Sequence, residues 1–209
     1  MSKPSLILIG AGGHARACID VIEHLDAFEI AGLIGTEEDL INGYMGYDVI
    51  GTDKDLSKLA KQYQYAIITV GQIKSGLIRQ RLYRKAMELG FKFPTIISPT
   101  GYVSRHASLG NGTIVMHGAI VNSCATVGNN CIINTNALIE HDAIVGDHCH
   151  IATGALVNGT ANIGFGSFVG SGSIIKQGIR LGSNSVVGMG ISVRHSAPKD
   201  ARILTSSKL

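Results

Sequence analysis

The chain has 209 residues, 45% hydrophobic and 16% charged, enough apolar material for one large domain or two small ones. Its net charge of +3, without a basic run, argues against nucleic acid as a partner. No stretch reaches the roughly 18 apolar residues of a membrane span, the start lacks the apolar region and cleavage site of a secretory signal, and the four cysteines form no CxxC pair. A cytoplasmic protein with free thiols and no membrane partner is expected.

From the start, Ser5–Ile9 reads as a buried strand, followed by Gly10-Ala11-Gly12-Gly13-His14-Ala15 and a helix pattern running to about Leu25. Ile30–Ile34 and Tyr65–Val70 read as further strands, with helix patterns near Asp53–Gln62 and Ile73–Leu89. Alternating strand and helix implies a small parallel sheet, an α/β Rossmann-like βαβαβ domain over residues 1–95. The glycine turn fits G-x-G-x-x-[GA] directly after a strand. There, backbone N–H groups at a helix start can hold a phosphate, with Gly10, Gly12, Gly13 and His14 as the candidates. The alternative is a tight turn that binds nothing. Gly35-Thr36 stand where a nicotinamide dinucleotide would need an acidic residue, which argues against that cofactor and leaves a mononucleotide or nucleotide sugar open.

From Ile97 every sixth residue is aliphatic: Ile97, Val103, Leu109, Val115 and so on through Val193, seventeen in succession. Four places later stands a column of small residues, among them Ala119, Ala125, Cys131, Ala137 and Cys149, broken only by Ile179 and Ile191. A period of six fits neither an α-helix nor an amphipathic strand. It fits a chain that turns a corner every six residues, three sides making an 18-residue coil that rises about 4.8 Å. Residues 96–209 are therefore expected to form an all-β parallel β-helix with aliphatic side chains inside. Its flat faces carry few charges, and a triangular prism with apolar faces predicts a homotrimer.

The candidate chemistry lies at Glu140-His141-Asp142. A carboxylate beside an imidazole fixes its tautomer and raises its basicity. Gly159 stands one coil later in the same column, where its bare N–H would lie about 5 Å along the axis and could steady an oxyanion. His150 could approach from another face or another subunit. His195 lies three coils from His141, too far to cooperate. The histidine spacing of the zinc-binding γ-class carbonic anhydrases, which share this prism, is missing: Gly146 and Arg105 occupy the required places. His148-Cys149-His150 cannot chelate through all three, because alternation turns Cys149 inward, so no metal is expected.

The hexads resemble those of left-handed β-helix acyltransferases, which supplies the hand. The whole chain resembles bacterial sugar acetyltransferases of the sialic acid O-acetyltransferase type, especially the N-acetyltransferases of nucleotide-linked 4-amino-4,6-dideoxy sugars. The resemblance rests on Gly-x-Gly-Gly-His-Ala near the start and on Asn134-Thr135-Asn136-Ala137-Leu138-Ile139-Glu140-His141-Asp142, followed by Gly146, His150, Gly154 and Gly159. It implies that His141 is the base and Asp142 its support, that His150 and the Gly159 amide lie at the acetyl thioester, and that Asn134 lies near the sugar. It further implies acetyl-CoA as co-substrate, held between subunits near Gly170, Ser171, Gly188 and Met189. Transfer of an acetyl group to the amine of a nucleotide-linked sugar, in surface-glycan synthesis such as that of O-antigen, is the function this implies. O-acetylation of a sialic acid-like sugar and a non-catalytic trimeric scaffold are the alternatives. Two places depart from the family: Gly35-Thr36 replace paired aspartates near the nucleotide base, and Ser196-Ala197-Pro198-Lys199-Asp200 replaces a Gly-x-Pro-Ala-Lys/Arg turn.

Overall fold

The computed structural model describes residues 2–42, 44–73 and 75–205. The chain divides into two compact units, one made of the chain up to Gly71 with Leu77–Ile96, the other of Gln72–Gly76 with the chain from Ile97 onward. Among the described residues, no helix is long and apolar enough to cross a membrane.

The first unit runs β1 (Ser5–Ile9), α1 (Gly13–Leu25), β2 (Glu29–Gly35), α2 (Asp39–Asn42), β3 (Val49–Thr52), α3 (Leu56–Leu59), β4 (Tyr65–Ile68) and α4 (Leu77–Glu88). Its strands form one parallel sheet in the order β3-β2-β1-β4. A central parallel strand is covered on both faces, so Leu6 to Ile9 form an unbroken apolar run and are all buried. α1 buries Ala15, Cys18, Ile19 and Ile22, spaced three and four apart as one helix face requires. β3 is a strand the sequence pattern does not announce, because it is short and holds Gly51. The helix expected over Asp53–Gln62 contracts to α3, and the one expected from Ile73 begins at Leu77, because Gln72–Gly76 belongs to the other unit.

β2 and β3 end alike. After β2, the Thr36 N–H and hydroxyl both donate to Asp39 Oδ2, at 2.7 and 2.8 Å. After β3, Thr52 does the same to Asp55 Oδ2, at 2.8 and 3.1 Å. Each is a Gly-Thr-x-x-Asp turn in which the acidic side chain, at the start of the next helix, reaches back to the Thr three positions earlier. The glycines are required, because a Cβ on Gly35 would stand 2.7 Å from the Asp39 side chain.

The second unit is a left-handed parallel β-helix. Its two-residue strands, from β5 (Ile96–Ile97) to β22 (Arg202–Ile203), stack into three parallel sheets of five, seven and six strands. Partners stand eighteen residues apart, as where Thr126 pairs with Ser108 on one side and Ile144 on the other. Val115, Val121, Ile133, Ile139 and Ile151 fill the interior together with the small column of Ala119, Cys131, Ala137 and Cys149. Cys131 and Cys149 are buried thiols outside any disulfide, and burial pushes the Cys149 pKa well up. Every sixth residue from Gly112 to Gly190 has positive φ, and these are the corners. Glycine fills half of them and Asn130, Asn136, Asp142 and Asn184 four others, the types that tolerate a left-handed conformation.

Around one coil the three faces differ. The face through Tyr102, Ile120, Leu138, Leu156 and Ile174 is apolar outside, with Tyr102 57% exposed. The next carries Ser108, Thr126, Ile144, Asn162 and Arg180, and the third Ile114, Ile132, His150, Phe168 and Val186. At the C-terminal end β22 pairs with Val186–Val187 at a spacing of sixteen residues rather than eighteen, so the tail closes the prism with a shortened turn.

Candidate active site and coenzyme groove

The turn over residues 140–143 joins the strands Leu138–Ile139 and Ile144–Val145. Asp142 holds the left-handed corner with φ of 58°. His141 Nδ1 donates to Asp142 Oδ2 at 2.8 Å, and the backbone N–H of His141 bonds Glu140 Oε2 at 3.0 Å. A carboxylate only accepts, so the proton of the neutral ring sits on Nδ1 and Nε2 offers a lone pair. The hydrogen bond to Asp142 is the largest influence on this imidazole and raises its pKa above the usual histidine value. Desolvation works against it, and the charges of Asp142 and Glu140 add to it.

One coil on, Gly159 lies buried beneath that ring. A Cβ there would stand 2.8 Å from His141 Nε2 and 2.9 Å from Cε1, so the imidazole occupies the space that any side chain would need. The two coils are tied by Thr160 N–H to His141 O at 3.0 Å, while the Gly159 N–H has no hydrogen-bond acceptor among the described residues. A basic nitrogen and an open backbone donor thus share one corner. Together they can take a proton from a nucleophile and hold an oxygen that becomes negative.

The other expected residues lie elsewhere on the prism. His150 faces outward from its strand, as alternation requires, yet it is only 7% exposed. Its Nδ1 donates to the Gln72 carbonyl at 2.6 Å, Asn134 Nδ2 donates to its Nε2 at 3.1 Å, and its ring meets Phe168 edge-on at 5.2 Å. Because a carbonyl only accepts, Nε2 of the neutral ring is an acceptor. Sequence reasoning missed Gln72, which stands 78 positions away and carries no motif. Beside this cluster runs a groove of about 650 Å³ lined by Gly170, Ser171, Gly188 and Met189, with Ile73 and Arg202. Those four are the residues that the resemblance assigns to the coenzyme. Ile73 and Arg202 were not anticipated.

His141, Asp142 and Gly159 therefore occupy one corner, and Asn134 with the groove the preceding one, separated by the face through Leu138 and Leu156. Six extended residues span roughly 20 Å at most, so this side is too long for direct contact within one chain. His117 bonds Ser98 Oγ at 2.6 Å, and His148 bonds Asn130 at 2.9 Å and packs on Phe165. Among the described residues no group of three or more His, Cys, Asp or Glu is placed to hold a metal ion.

In the first unit a pocket of about 450 Å³ opens at the glycine turn, lined by Gly10, Gly12, Thr36, Asp39, Asp53 and Arg81. Gly12 is the extended N-cap of α1, without a side-chain cap, and the first turn of the helix has no acidic residue. Nothing lies within 4 Å of where a Cβ on Gly12 or Gly13 would stand. An uncapped helix start beside open space is the geometry that receives an anion. Gly13 and His14, also expected there, do not line this pocket; His14 Nε2 lies 3.3 Å from Cys18 Sγ, whose pKa burial pushes up to about 12. Arg81 pairs with Asp53 at 3.5 Å.

The sequence matches the PglD N-terminal domain over residues 5–86, the bacterial transferase hexapeptide (six repeats) over 125–159, and the hexapeptide repeat of succinyl-transferase over 161–194. A comparison with curated proteins finds no match. Among solved structures the chain is similar to a histidine-to-asparagine variant of perosamine N-acetyltransferase from Caulobacter crescentus, in complex with CoA and GDP-perosamine. The identity is 28% and the TM-score 0.90, over 96% of this chain and 93% of that one. It is similar to the acetyltransferase domain of PglB from Neisseria gonorrhoeae, in complex with acetyl coenzyme A, at 28% identity and a TM-score of 0.87, over 96% of each chain. WeeI from Acinetobacter baumannii shares the fold at 19% identity, with a TM-score of 0.83, over 96% of this chain and 97% of that one. This chain thus joins a PglD-type N-terminal domain to a hexapeptide-repeat transferase domain, and it is an acyltransferase of that kind.

Proposed function

We propose that the protein transfers the acetyl group of acetyl-CoA to the amine of a nucleotide-linked 4-amino-4,6-dideoxy sugar. The observation that carries this reading is the His141 corner, with Nδ1 held by Asp142 at 2.8 Å and Nε2 over Gly159. The amine nitrogen attacks the thioester carbonyl and forms the new C–N bond. His141 Nε2 takes the amine proton, Gly159 N–H steadies the oxyanion, and the C–S bond breaks. The departing thiolate takes up a proton and leaves as CoA. No covalent enzyme intermediate is required. Gly170, Ser171, Gly188 and Met189 hold the coenzyme, and Asn134 and His150 sit at its reactive end. Gly10, Gly12 and Gly13 receive the nucleotide phosphates, with His14 beside them. The CoA, acetyl-CoA and GDP-perosamine complexes of the two similar acetyltransferases support this choice of substrates.

The two-corner arrangement favours a homotrimer in which one copy's His141 corner meets another copy's groove across the apolar face of Ile120 and Ile174. Such an enzyme would work in the cytoplasm, on a sugar destined for a surface glycan. The test is thiol release from acetyl-CoA with a panel of 4-amino-sugar nucleotides carrying different bases, and with sialic acids as the O-acceptor control. Turnover with an amino sugar, reduced about 10²–10⁴-fold in His141→Ala, is expected. Turnover with the sialic acids alone, or an unimpaired His141→Ala, would overturn it.

A further inference from the structure

Thr160 has no role in the reading above, yet it stands next to Gly159 in a conformation that its side chain opposes. Its φ is 58°, and among the described residues it is the one β-branched residue with positive φ. The corresponding corners elsewhere use Gly, Asn, Asp, His or Cys. A β-branched residue in the left-handed region persists only where its surroundings hold it, and such strain gathers at functional sites.

Two hydrogen bonds show what holds it. The Thr160 N–H donates to the His141 carbonyl at 3.0 Å, tying the coil of the base to the coil of the open donor. Its hydroxyl donates to the Gly159 carbonyl at 2.7 Å. The same carbonyl accepts Gly178 N–H at 3.0 Å from the following coil. The Gly159–Thr160 peptide is thereby held by two donors, the preceding Asn158–Gly159 peptide is held through its carbonyl by Ala161 N–H at 3.2 Å, and the Gly159 N–H between them has no acceptor among the described residues. Asparagine or glycine would relieve the backbone, but neither supplies this hydroxyl.

We infer that Thr160 is a positioning residue, whose hydroxyl holds the Gly159 backbone in the orientation that presents its N–H to the reacting carbonyl oxygen beside His141 Nε2. The inference rests on the acetyl-transfer reading, and it predicts a separation that a merely structural role would not produce. Thr160→Gly and Thr160→Asn remove strain, so both should melt at or above the wild-type temperature. Their kcat should still fall about 10-fold, the scale of a misaligned reacting group. KM for acetyl-CoA should hold, because the groove lies at another corner, and the pH profile should keep its shape, because the His141–Asp142 pair is untouched. Thr160→Ser keeps the hydroxyl and should stay within about twofold of wild-type kcat.

The experiment is steady-state kinetics of the four full-length proteins with acetyl-CoA and the amino-sugar nucleotide, alongside thermal melts. Wild-type turnover matched by Thr160→Gly and Thr160→Asn overturns the inference and leaves the acetyltransferase reading standing. Loss in Thr160→Ser equal to that in Thr160→Gly overturns it too, since the methyl group rather than the hydroxyl would then matter. A wild-type protein that transfers no acetyl group overturns both.

Discussion

Replacing Gly159 with alanine isolates the central geometry, because the perturbation is one methyl group of known position. The added Cβ would stand 2.8 Å from His141 Nε2, 2.9 Å from Cε1 and 3.4 Å from Cδ2. Real contacts of this kind are rarely closer than 3.4 Å, so the ring must retreat by several tenths of an ångström. The His141 side chain is 56% exposed and free to swing outward. Swinging outward lengthens its 2.8 Å bond to Asp142, so the pair is loosened together with the base. A displacement approaching 1 Å costs on the order of 10²-fold in rate. Gly159 does not have the positive φ of the corner glycines, so alanine adds no backbone strain and the prism should persist. The expectation is a kcat lowered about 10²-fold, calorimetric affinity for acetyl-CoA within twofold of wild type, and an unchanged oligomeric state. Turnover within threefold of wild type would mean that His141 does not act over Gly159, and the proposed chemistry would have to move elsewhere.

Asp142→Asn removes the largest influence raising the His141 pKa. A base works only when deprotonated, so activity is lost as pH falls through that pKa, and the acidic limb of kcat/KM should move to lower pH while the plateau drops. Nuclear magnetic resonance titration of His141 provides the independent check. The two glycines of the phosphate turn should separate cleanly. Gly10 has φ of +128° and a Cβ there would stand 2.8 Å from Val70 N, so Gly10→Ala should destabilise the first unit by about 1–3 kcal/mol in a denaturant melt. Gly12→Ala meets nothing within 4 Å and should fold normally, yet weaken the nucleotide sugar about 10-fold by occupying the space of its phosphates. Ile120→Asp with Ile174→Asp, on the apolar face, should yield monomers in sedimentation without turnover, and an active monomer would refute a site completed by a second copy.

The repeat was legible because its cause is local: each six-residue side needs one large and one small interior residue, and the aliphatic column supplies the large one throughout. The corners were equally available, since Gly112, Gly118, Asn130, Asn136 and Asp142 recur at the same period, but glycine and asparagine also mark ordinary turns. The Asp142 contact to His141 could be foreseen because the partners are adjacent in sequence. Its counterpart could not: Gln72 reaches His150 from 78 positions away through a backbone carbonyl, which every residue type possesses. Gly35-Thr36, which looked like a defect in a nucleotide site, is the start of a turn whose carboxylate is Asp39, displaced by three positions. The repeated Gly-Thr-x-x-Asp was visible in the sequence, at residues 35–39 and 51–55.

The same period determines how the chemistry must be divided. Residues eighteen apart stack, which is why Gly159 can lie under His141. Residues nine apart are half a coil from each other, and His141 and His150 stand at that spacing. No flexing of a turn brings them together in one chain, because each is fixed by its own hydrogen bonds, one to Asp142 and the other to Gln72. If both serve one reaction, they serve it from different copies. The coenzyme is then held mainly by one subunit's groove while the proton is taken by another subunit's corner. Substitutions at Met189 or Arg202 should therefore act on coenzyme affinity, and those at His141, Asp142 and Gly159 on turnover. Mixed trimers assembled from a groove-defective chain and a corner-defective chain would regain activity at the interfaces where an intact groove meets an intact corner, whereas a site contained in one chain would regain none.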